Sequence, residues 1–303
     1  MKSQHEFFQG EEIMRVGFVG CGTMGEHMAR NIIKEGHELS VFDINVEPLQ
    51  RLQEDGASIK QRPADVASAS EVTIMMVVND QQVREVITGE NGLLEGLQPG
   101  GTIIIMSTIT PGVCVEMADV VRAAGGDLME APVVLSQPAA IAGELGIYLG
   151  GAPETCDKAM PVIECMGKNI IRMGDVGTAM AMKLCHNMMT ATIAQGVSEM
   201  LTLGKKAGLD FDDIITAISY GGGQNFFLDS KAPTIKEGDF VARFSLANMN
   251  KDMGLTLVFA DTLGVSMPAG AAAKQVASAA MAAGMGPDDF SSFVRINEKL
   301  SEV

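Results

Sequence analysis

A formal charge of −16 over 303 residues, with 47% hydrophobic and 20% charged side chains, describes a globular chain whose acidic excess would repel a nucleic-acid partner. No uninterrupted apolar run approaches the roughly 18 residues that a membrane-spanning helix requires, so no membrane partner is expected. The five cysteines (Cys21, Cys114, Cys156, Cys165, Cys185) show neither metal spacing nor a CxxC pair, which predicts reduced thiols, a cytoplasmic location and no metal site.

In chain order, Met1 to Ile13 is polar and acidic with Phe7-Phe8 inside it, and it lacks the apolar centre of a signal peptide. Residues 1–13 therefore read as a flexible leader. Arg15-Val16-Gly17-Phe18-Val19 is a short apolar run suited to a buried parallel strand. Gly20-Cys21-Gly22-Thr23-Met24-Gly25 follows it. Glu26 to Glu35 then carries Met28, Ile32 and Ile33 at helical spacing and stops before Gly36. A second apolar run, Leu39 to Phe42, ends in Asp43.

With 34 glycines in the chain the hexapeptide alone carries little weight, and its flanks make it informative. Strand, glycine turn, helix, strand and acid together constitute a dinucleotide-binding signature. Gly20 permits the tight turn, Gly22 lets the backbone approach a pyrophosphate, and Gly25 lets helix pack on strand. Thr23 and Met24 lead into a helix N-terminus whose free N–H groups and positive dipole end suit phosphates. Asp43 would accept from both ribose hydroxyls and repel a 2′-phosphate. No Arg or Lys follows it in Ile44-Asn45-Val46, so NAD is expected rather than NADP.

Val72–Val78, Thr102–Met106 and the runs near Val133 and at Ile147–Leu149 continue the strands, with helical patterns at Pro48–Glu54 and Gln81–Ile87. This alternation predicts an α/β fold, a doubly wound parallel Rossmann sheet. Ligands of such sheets bind beyond the carboxyl ends of strands. Asn79 after the third strand, and Ser107 and Thr108 after the fourth, are therefore expected to line the cofactor. Ordinary strand-to-helix turns, with a cap near Thr108 or Thr110, are the plainer alternative.

After Gly177 the strand-like runs give way to Ala-, Met- and Leu-rich helical stretches, in which Thr178 to Ala207 reads as one helix roughly 45 Å long. The expected organisation is an NAD-binding Rossmann domain over 14–177 and an all-helical substrate and oligomerisation domain over 178–303. The apolar helices suggest a homodimer or homotetramer. Within Lys183-Leu184-Cys185-His186-Asn187, Lys183 and Asn187 are four apart and share a helix face. Hydride transfer requires a proton to move on the same substrate oxygen. A desolvated lysine has a lowered pKa suited to that work, and a neighbouring amide would hold the oxygen. The plainer reading is a solvated surface pair, against which Met180, Met182, Leu184 and Met188 argue for a mostly buried helix.

The stretch Phe18-Val19-Gly20-Cys21-Gly22-Thr23-Met24-Gly25-Glu26-His27-Met28-Ala29-Arg30-Asn31-Ile32 resembles the N-terminal signature of the β-hydroxyacid dehydrogenases, which include 3-hydroxyisobutyrate dehydrogenase and tartronate semialdehyde reductase. The resemblance continues through Met106-Ser107-Thr108-Ile109, Glu130-Ala131-Pro132-Val133, the Lys183/Asn187 helix and Lys251-Asp252-Met253-Gly254-Leu255. It implies an NAD-dependent oxidoreductase interconverting a small 3- or 4-hydroxy acid and its semialdehyde. By the same resemblance Lys183 is the acid–base, Asn187 orients the substrate, Ser107 and Thr108 lie at the nicotinamide, and Lys251 closes over cofactor and substrate. Without it, Lys251-Asp252 is an i,i+1 surface pair whose side chains do not face each other.

The chain departs from the family pattern after Pro132-Val133. Ser-Gly-Gly, which receives the substrate carboxylate in the family, is replaced by Val134-Leu135-Ser136, so these three are candidate substrate residues in a pocket of altered shape. The stretch from Pro132 to Leu145 is more like the sulfolactaldehyde reductases, which carry an arginine where this chain has Leu135. Lys-x-x-His-Asn, with His186, resembles 6-phosphogluconate dehydrogenase, although Thr190 stands where that enzyme has a glutamate. Non-catalytic cofactor-binding relatives have lost the lysine, so Lys183 and Asn187 argue against that class. Gly221 to Phe227 is expected to wall the substrate; an interhelix turn with aromatic core anchors is the alternative.

Overall fold

The computed structural model describes residues 13–303, so the expected leader lies outside the described residues apart from Ile13. The chain divides into two compact units between Ala181 and Met182, a few residues past the boundary expected from composition.

In the first unit the strands are β1 (Arg15–Val19), β2 (Glu38–Phe42), β3 (Ser58–Ile59), β4 (Val72–Met75), β5 (Thr102–Ile105), β6 (Asp127–Glu130), β7 (Val133–Val134), β8 (Leu145–Gly150) and β9 (Gly167–Gly174). They form one sheet in the order β3-β2-β1-β4-β5-β6-β8-β7, with β9 paired to β8. The strands from β3 to β6 are mutually parallel. Beyond them β8 runs antiparallel to β6 and β7 and parallel to β9, so the sheet is mixed at that edge. The chain order reverses at β1, between β2 and β4, which is the switch point where such sheets open a crevice for ligands.

Side chains alternate across each strand and so fill two cores. Val16 and Phe18 of β1, Val72 and Ile74 of β4 and Ile104 of β5 pack with Met28, Ala29 and Ile32 of the helix Gly25–Lys34. Val19, Met75, Ile103 and Ile105 enter the opposite core, against Val83 and Ile87 of the helix Asp80–Thr88 and Val113, Met117 and Val121 of the helix Pro111–Ala123. Burial on both faces is why these strands read as unbroken apolar runs.

The strand expected over Val72–Val78 ends at Met75. The Val77 N–H donates to Ser107 Oγ (2.7 Å) and the Val78 N–H to Gln82 Oε1 (2.8 Å), so neither continues the ladder. Strands β3, β6 and β9 are additions to the sequence reading. β3 has two residues, β6 begins and ends in acids, and β9 is largely exposed, with Lys168, Asn169 and Arg172 breaking its apolar pattern.

The helix Thr178–Lys206 begins in the first unit and continues into the second. The second unit adds helices Phe211–Ser219, Phe226–Glu237, Leu246–Thr262, Pro268–Ala282 and Phe293–Ser301. Their core contains Met188, Leu201, Phe227, Met249, Met253 and Phe293. Among the described residues no helix is long and apolar enough to cross a membrane.

Candidate active site

The glycine turn at the carboxyl end of β1 is built by crowding. Gly20 has φ +94°, donates its N–H to the Phe42 carbonyl (3.0 Å), and would place a Cβ 2.4 Å from the Met76 carbonyl oxygen. A Cβ on Gly25 would lie 2.0 Å from the Gly20 carbonyl oxygen, so only glycine lets the helix start that close to the strand. Gly22 is open, with nothing within 4 Å of a Cβ built there. The helix begins after Met24 with no side-chain cap; the Glu26 N–H donates to the Gly22 carbonyl (3.0 Å), and the uncapped start with its positive dipole end suits an anion. Two glycines closed by backbone, one facing open space and an uncapped helix start fit a dinucleotide pyrophosphate.

Asp43 follows β2 and reaches this turn. Its Oδ2 accepts from the Cys21 N–H (2.6 Å) and its Oδ1 from the Asn45 N–H (2.7 Å). The carboxylate thus braces the turn, a role the sequence reading did not assign it. Burial, with the charge of Asp43 second, pushes the Cys21 thiol up and keeps it protonated. Beyond β4, Asn79 caps the helix Asp80–Thr88 by accepting from the Gln82 N–H (2.9 Å). Ser107 is buried and ties the ends of β4 and β5 together through Val77. Thr108 follows it, and Thr110 donates its N–H (3.0 Å) and hydroxyl (2.6 Å) to Asp80.

Val134 ends β7, and Leu135 beside it is half-exposed with φ +73°, a left-handed backbone that a branched side chain rarely adopts. Ser136 precedes the short helix Gln137–Ala142. Gln137 Nε2 lies 3.1 Å from His27 Nε2, and Asn31 Nδ2 donates to the Ala140 carbonyl (2.8 Å). These bonds seat Val134-Leu135-Ser136 beside the helix that follows the glycine turn.

In the second unit Lys183 and Asn187 share one face of the helix Thr178–Lys206 and are 7% and 4% exposed. Both belong to a buried cluster centred on Asp252, 1% exposed, in the helix Leu246–Thr262. Asn187 Nδ2 donates to Asp252 Oδ2 (2.6 Å), and Lys251 Nζ pairs with Asp252 Oδ1 (2.9 Å). The Thr256 hydroxyl donates to the Asp252 carbonyl (2.8 Å) and lies 3.3 Å from the Leu184 carbonyl, bracing the two helices. Burial pulls the Lys183 ammonium down to about 8, with Asp252 opposing and Lys251 adding to the shift. Burial and then the charge of Lys183 pull His186 down to about 4, so its ring is neutral near pH 7.

The surface-pair reading of Lys251-Asp252 is corrected by this cluster, in which the two side chains form an ion pair and Asp252 is enclosed. Asp252 is the site residue the sequence reading passed over. Its signal was the helical stripe of Met249, Met253, Thr256 and Ala260, which turns position 252 inward. In the segment expected to wall the substrate, Asn225 caps the helix Phe226–Glu237 by accepting from the Leu228 N–H (2.9 Å), and Phe227 packs in the core against Phe290. Phe226 is exposed. Among the described residues no group of His, Cys, Asp and Glu is placed to hold a metal ion.

The profile of the family described as the NAD binding domain of 6-phosphogluconate dehydrogenase matches residues 15–174. A second, described as NAD-binding of NADP-dependent 3-hydroxyisobutyrate dehydrogenase, matches residues 177–297. The 3-sulfolactaldehyde reductase of Escherichia coli (strain K12) is 35% identical over 92% of this chain and 94% of its own. The mitochondrial 3-hydroxyisobutyrate dehydrogenase of Mus musculus is 32% identical over 91% of this chain and 85% of its own. The solved 3-hydroxyisobutyrate dehydrogenase of Mycobacterium tuberculosis, with L-serine, superposes with a TM-score of 0.87 at 27% identity, covering 94% of this chain and 99% of that one. With a Rossmann sheet, a helical second unit and relatives that are dehydrogenases and reductases across nearly its whole length, the chain belongs to the β-hydroxyacid dehydrogenase family and is an NAD-dependent oxidoreductase.

Proposed function

We propose that the chain interconverts a small 3- or 4-hydroxy acid and its semialdehyde, with Lys183 as the general acid–base. The observation that carries this reading is a lysine drawn down to about 8 by burial, on one helix face with Asn187. A group titrating there is present in both forms near neutral pH. It can take the hydroxyl proton during oxidation and give it to the carbonyl oxygen during reduction. Asn187 gives one amide N–H to Asp252 and keeps a second to orient the same substrate oxygen. Bound NAD supplies the hydride acceptor in oxidation and, as NADH, the donor in reduction.

Gly20, Gly22, Thr23, Met24 and Gly25 hold the pyrophosphate in this reading, and Asn79, Ser107, Thr108 and Lys251 complete the cofactor contacts. Asp43 keeps lone pairs beyond those given to Cys21 and Asn45, enough to accept from ribose hydroxyls, and its charge opposes a 2′-phosphate. Val134, Leu135 and Ser136 meet the substrate, with Leu135 as a half-exposed apolar surface.

Lys183→Ala should abolish turnover while leaving NADH binding intact, and retained turnover overturns the assignment. Semialdehydes ending in carboxylate, sulfonate or phosphate, followed by NADH absorbance, identify the substrate class. A clear preference for NADPH in the same assay contradicts the role given to Asp43.

A further inference from the structure

Glu130 closes β6, is completely buried, and belongs to neither the glycine turn nor the Lys183 cluster. Its Oε1 accepts from the backbone N–H groups of Ala179 (2.7 Å) and Met180 (3.0 Å), in the first turn of the helix Thr178–Lys206. Gly177, where a capping side chain would usually stand, has φ +101° and no side chain. A strand residue about fifty positions upstream therefore does the work of a helix cap.

The surroundings are shaped for that carboxylate. Gly150 lies opposite Glu130 in the β6–β8 register, and a Cβ there would sit 2.4 Å from Oε1. The Cys114 thiol, from the helix Pro111–Ala123, lies against the carboxyl group. Burial pushes the Glu130 carboxyl up, while Cys114 and the amides of Met180, Ala179 and Gly177 favour its charged form. A buried carboxylate is costly to retain, and a serine or aspartate in the helix's own turn would satisfy the same amides. A local cap, however, ties a helix end only to itself. Glu130 ties it to the strand. Ala179, Lys183 and Asn187 follow one another at intervals of four, on a single ridge of the helix.

We propose that Glu130 is a positioning residue for the reaction: from the end of β6 it fixes the rotation and axial position of the helix turn from which Lys183 and Asn187 follow. The proposal rests on the reading of Lys183 as the acid–base. The two bonds to successive amides define one register, because a rotation of the helix breaks both.

The test compares Glu130→Gln, which keeps the size and one acceptor but loses the charge, with Glu130→Ala, Lys183→Ala and the double variant Glu130→Gln/Lys183→Ala. Lys183 is labelled with trinitrobenzenesulfonate across pH and quantified by peptide mass spectrometry. Exchange at the 179 and 180 amides, NADH affinity, and turnover of 3-hydroxyisobutyrate with NAD are measured alongside. The expected result for Glu130→Gln is faster amide exchange, a displaced labelling midpoint and a kcat lower by about tenfold, with NADH affinity within about twofold of the parent. The double variant should be no slower than Lys183→Ala alone, because a residue acting through Lys183 has nothing left to position.

Wild-type labelling and kcat in Glu130→Gln would overturn the proposal, as would NADH affinity falling in step with kcat or a further loss in the double variant. If Glu130→Ala fails to fold, the isosteric Glu130→Gln decides. Should 3-hydroxyisobutyrate not be turned over, the labelling midpoint and amide exchange decide in the same directions. An active Lys183→Ala overturns the acid–base reading together with this proposal. An inactive Lys183→Ala beside an unaffected Glu130→Gln overturns this proposal alone.

Discussion

Asn187 gives its amide to Asp252 across 2.6 Å, and Asp252 is the more deeply buried of the two. The aspartate also pairs with Lys251 and is the charge that opposes the fall of Lys183. One carboxylate therefore orients the amide and moderates the lysine.

Asp252→Asn separates these roles. Loss of the negative charge lets Lys183 fall below about 8, so the acidic limb of the oxidation profile should move to lower pH. The kcat should drop by about tenfold or more, since the amide loses its charged acceptor. A pH–rate profile that keeps its wild-type limb in this variant contradicts the assignment of Asp252.

The direction of reaction sets the sign of the pH dependence. With Lys183 as the proposed acid–base, oxidation would need its neutral form and should rise with pH through about 8, whereas reduction would need the protonated form and should fall over the same range. Stability carries a matching signature. Between about 8 and the ordinary lysine value of 10.5, the unfolded chain holds the proton more tightly than the folded one, so stability rises with pH across that window. Urea unfolding of the parent and Lys183→Met, at pH values below and above the window, should show the parent gaining on the variant as pH rises. A constant difference would place Lys183 at its ordinary value.

Leu135 holds a left-handed backbone at φ +73° that its branched side chain disfavours. Leu135→Gly should therefore stabilise the fold by roughly 1 kcal/mol through release of that strain. The denaturant midpoint measures it, and a midpoint that falls would show that the side chain's packing outweighs the strain. Turnover across the semialdehyde panel should shift in the same variant if Leu135 faces substrate.

Lys231 and Asp289 form a buried pair, Nζ lying 2.8 Å from Oδ1, and Asp289 also accepts from the amides of Arg243, Phe244 and Ser291. Burial drives the Asp289 carboxyl up, but Lys231 and these amides outweigh it and hold the group below the usual carboxylate range. Lys231→Met should cost about 3–5 kcal/mol, because it strands a buried charge. Asp289 contributes stability above the ordinary carboxylate range and loses it as pH falls through its depressed value, so the gap between parent and variant should narrow on acidification. Urea titrations at neutral and acidic pH test both statements.

What could be read from the sequence followed from locality. Val16 to Val19 and Thr102 to Ile105 are buried on both sheet faces and carry unbroken apolar runs, so their strands were legible. Gly20 and Gly25 were legible because a turn and a packing contact each impose a residue type at fixed spacing. The end of β4 was not, because Ser107 claims the Val77 amide from thirty residues away. β9 was hidden by its exposed polar side chains. The bonds from Glu130 to Ala179 and Met180 span 49 and 50 residues, a separation that leaves no periodic trace. Asp252 was legible in principle, since Met249, Met253 and Ala260 mark the buried face of its helix, but its adjacency to Lys251 suggested a solvated pair.

On the proposed reading of Asp43 as the ribose residue, its brace to the Cys21 amide makes cofactor choice and turn stability a shared property of one side chain. A lineage drifting toward a phosphorylated ribose has to discard this carboxylate, and in doing so it removes the acceptor that holds the glycine turn. Asp43→Asn would be the easier first step, since it drops the charge while keeping an oxygen for one amide, with a cation recruited at position 44 or 45 only afterwards. On that reading, retuning the cofactor would be an ordered, two-substitution path.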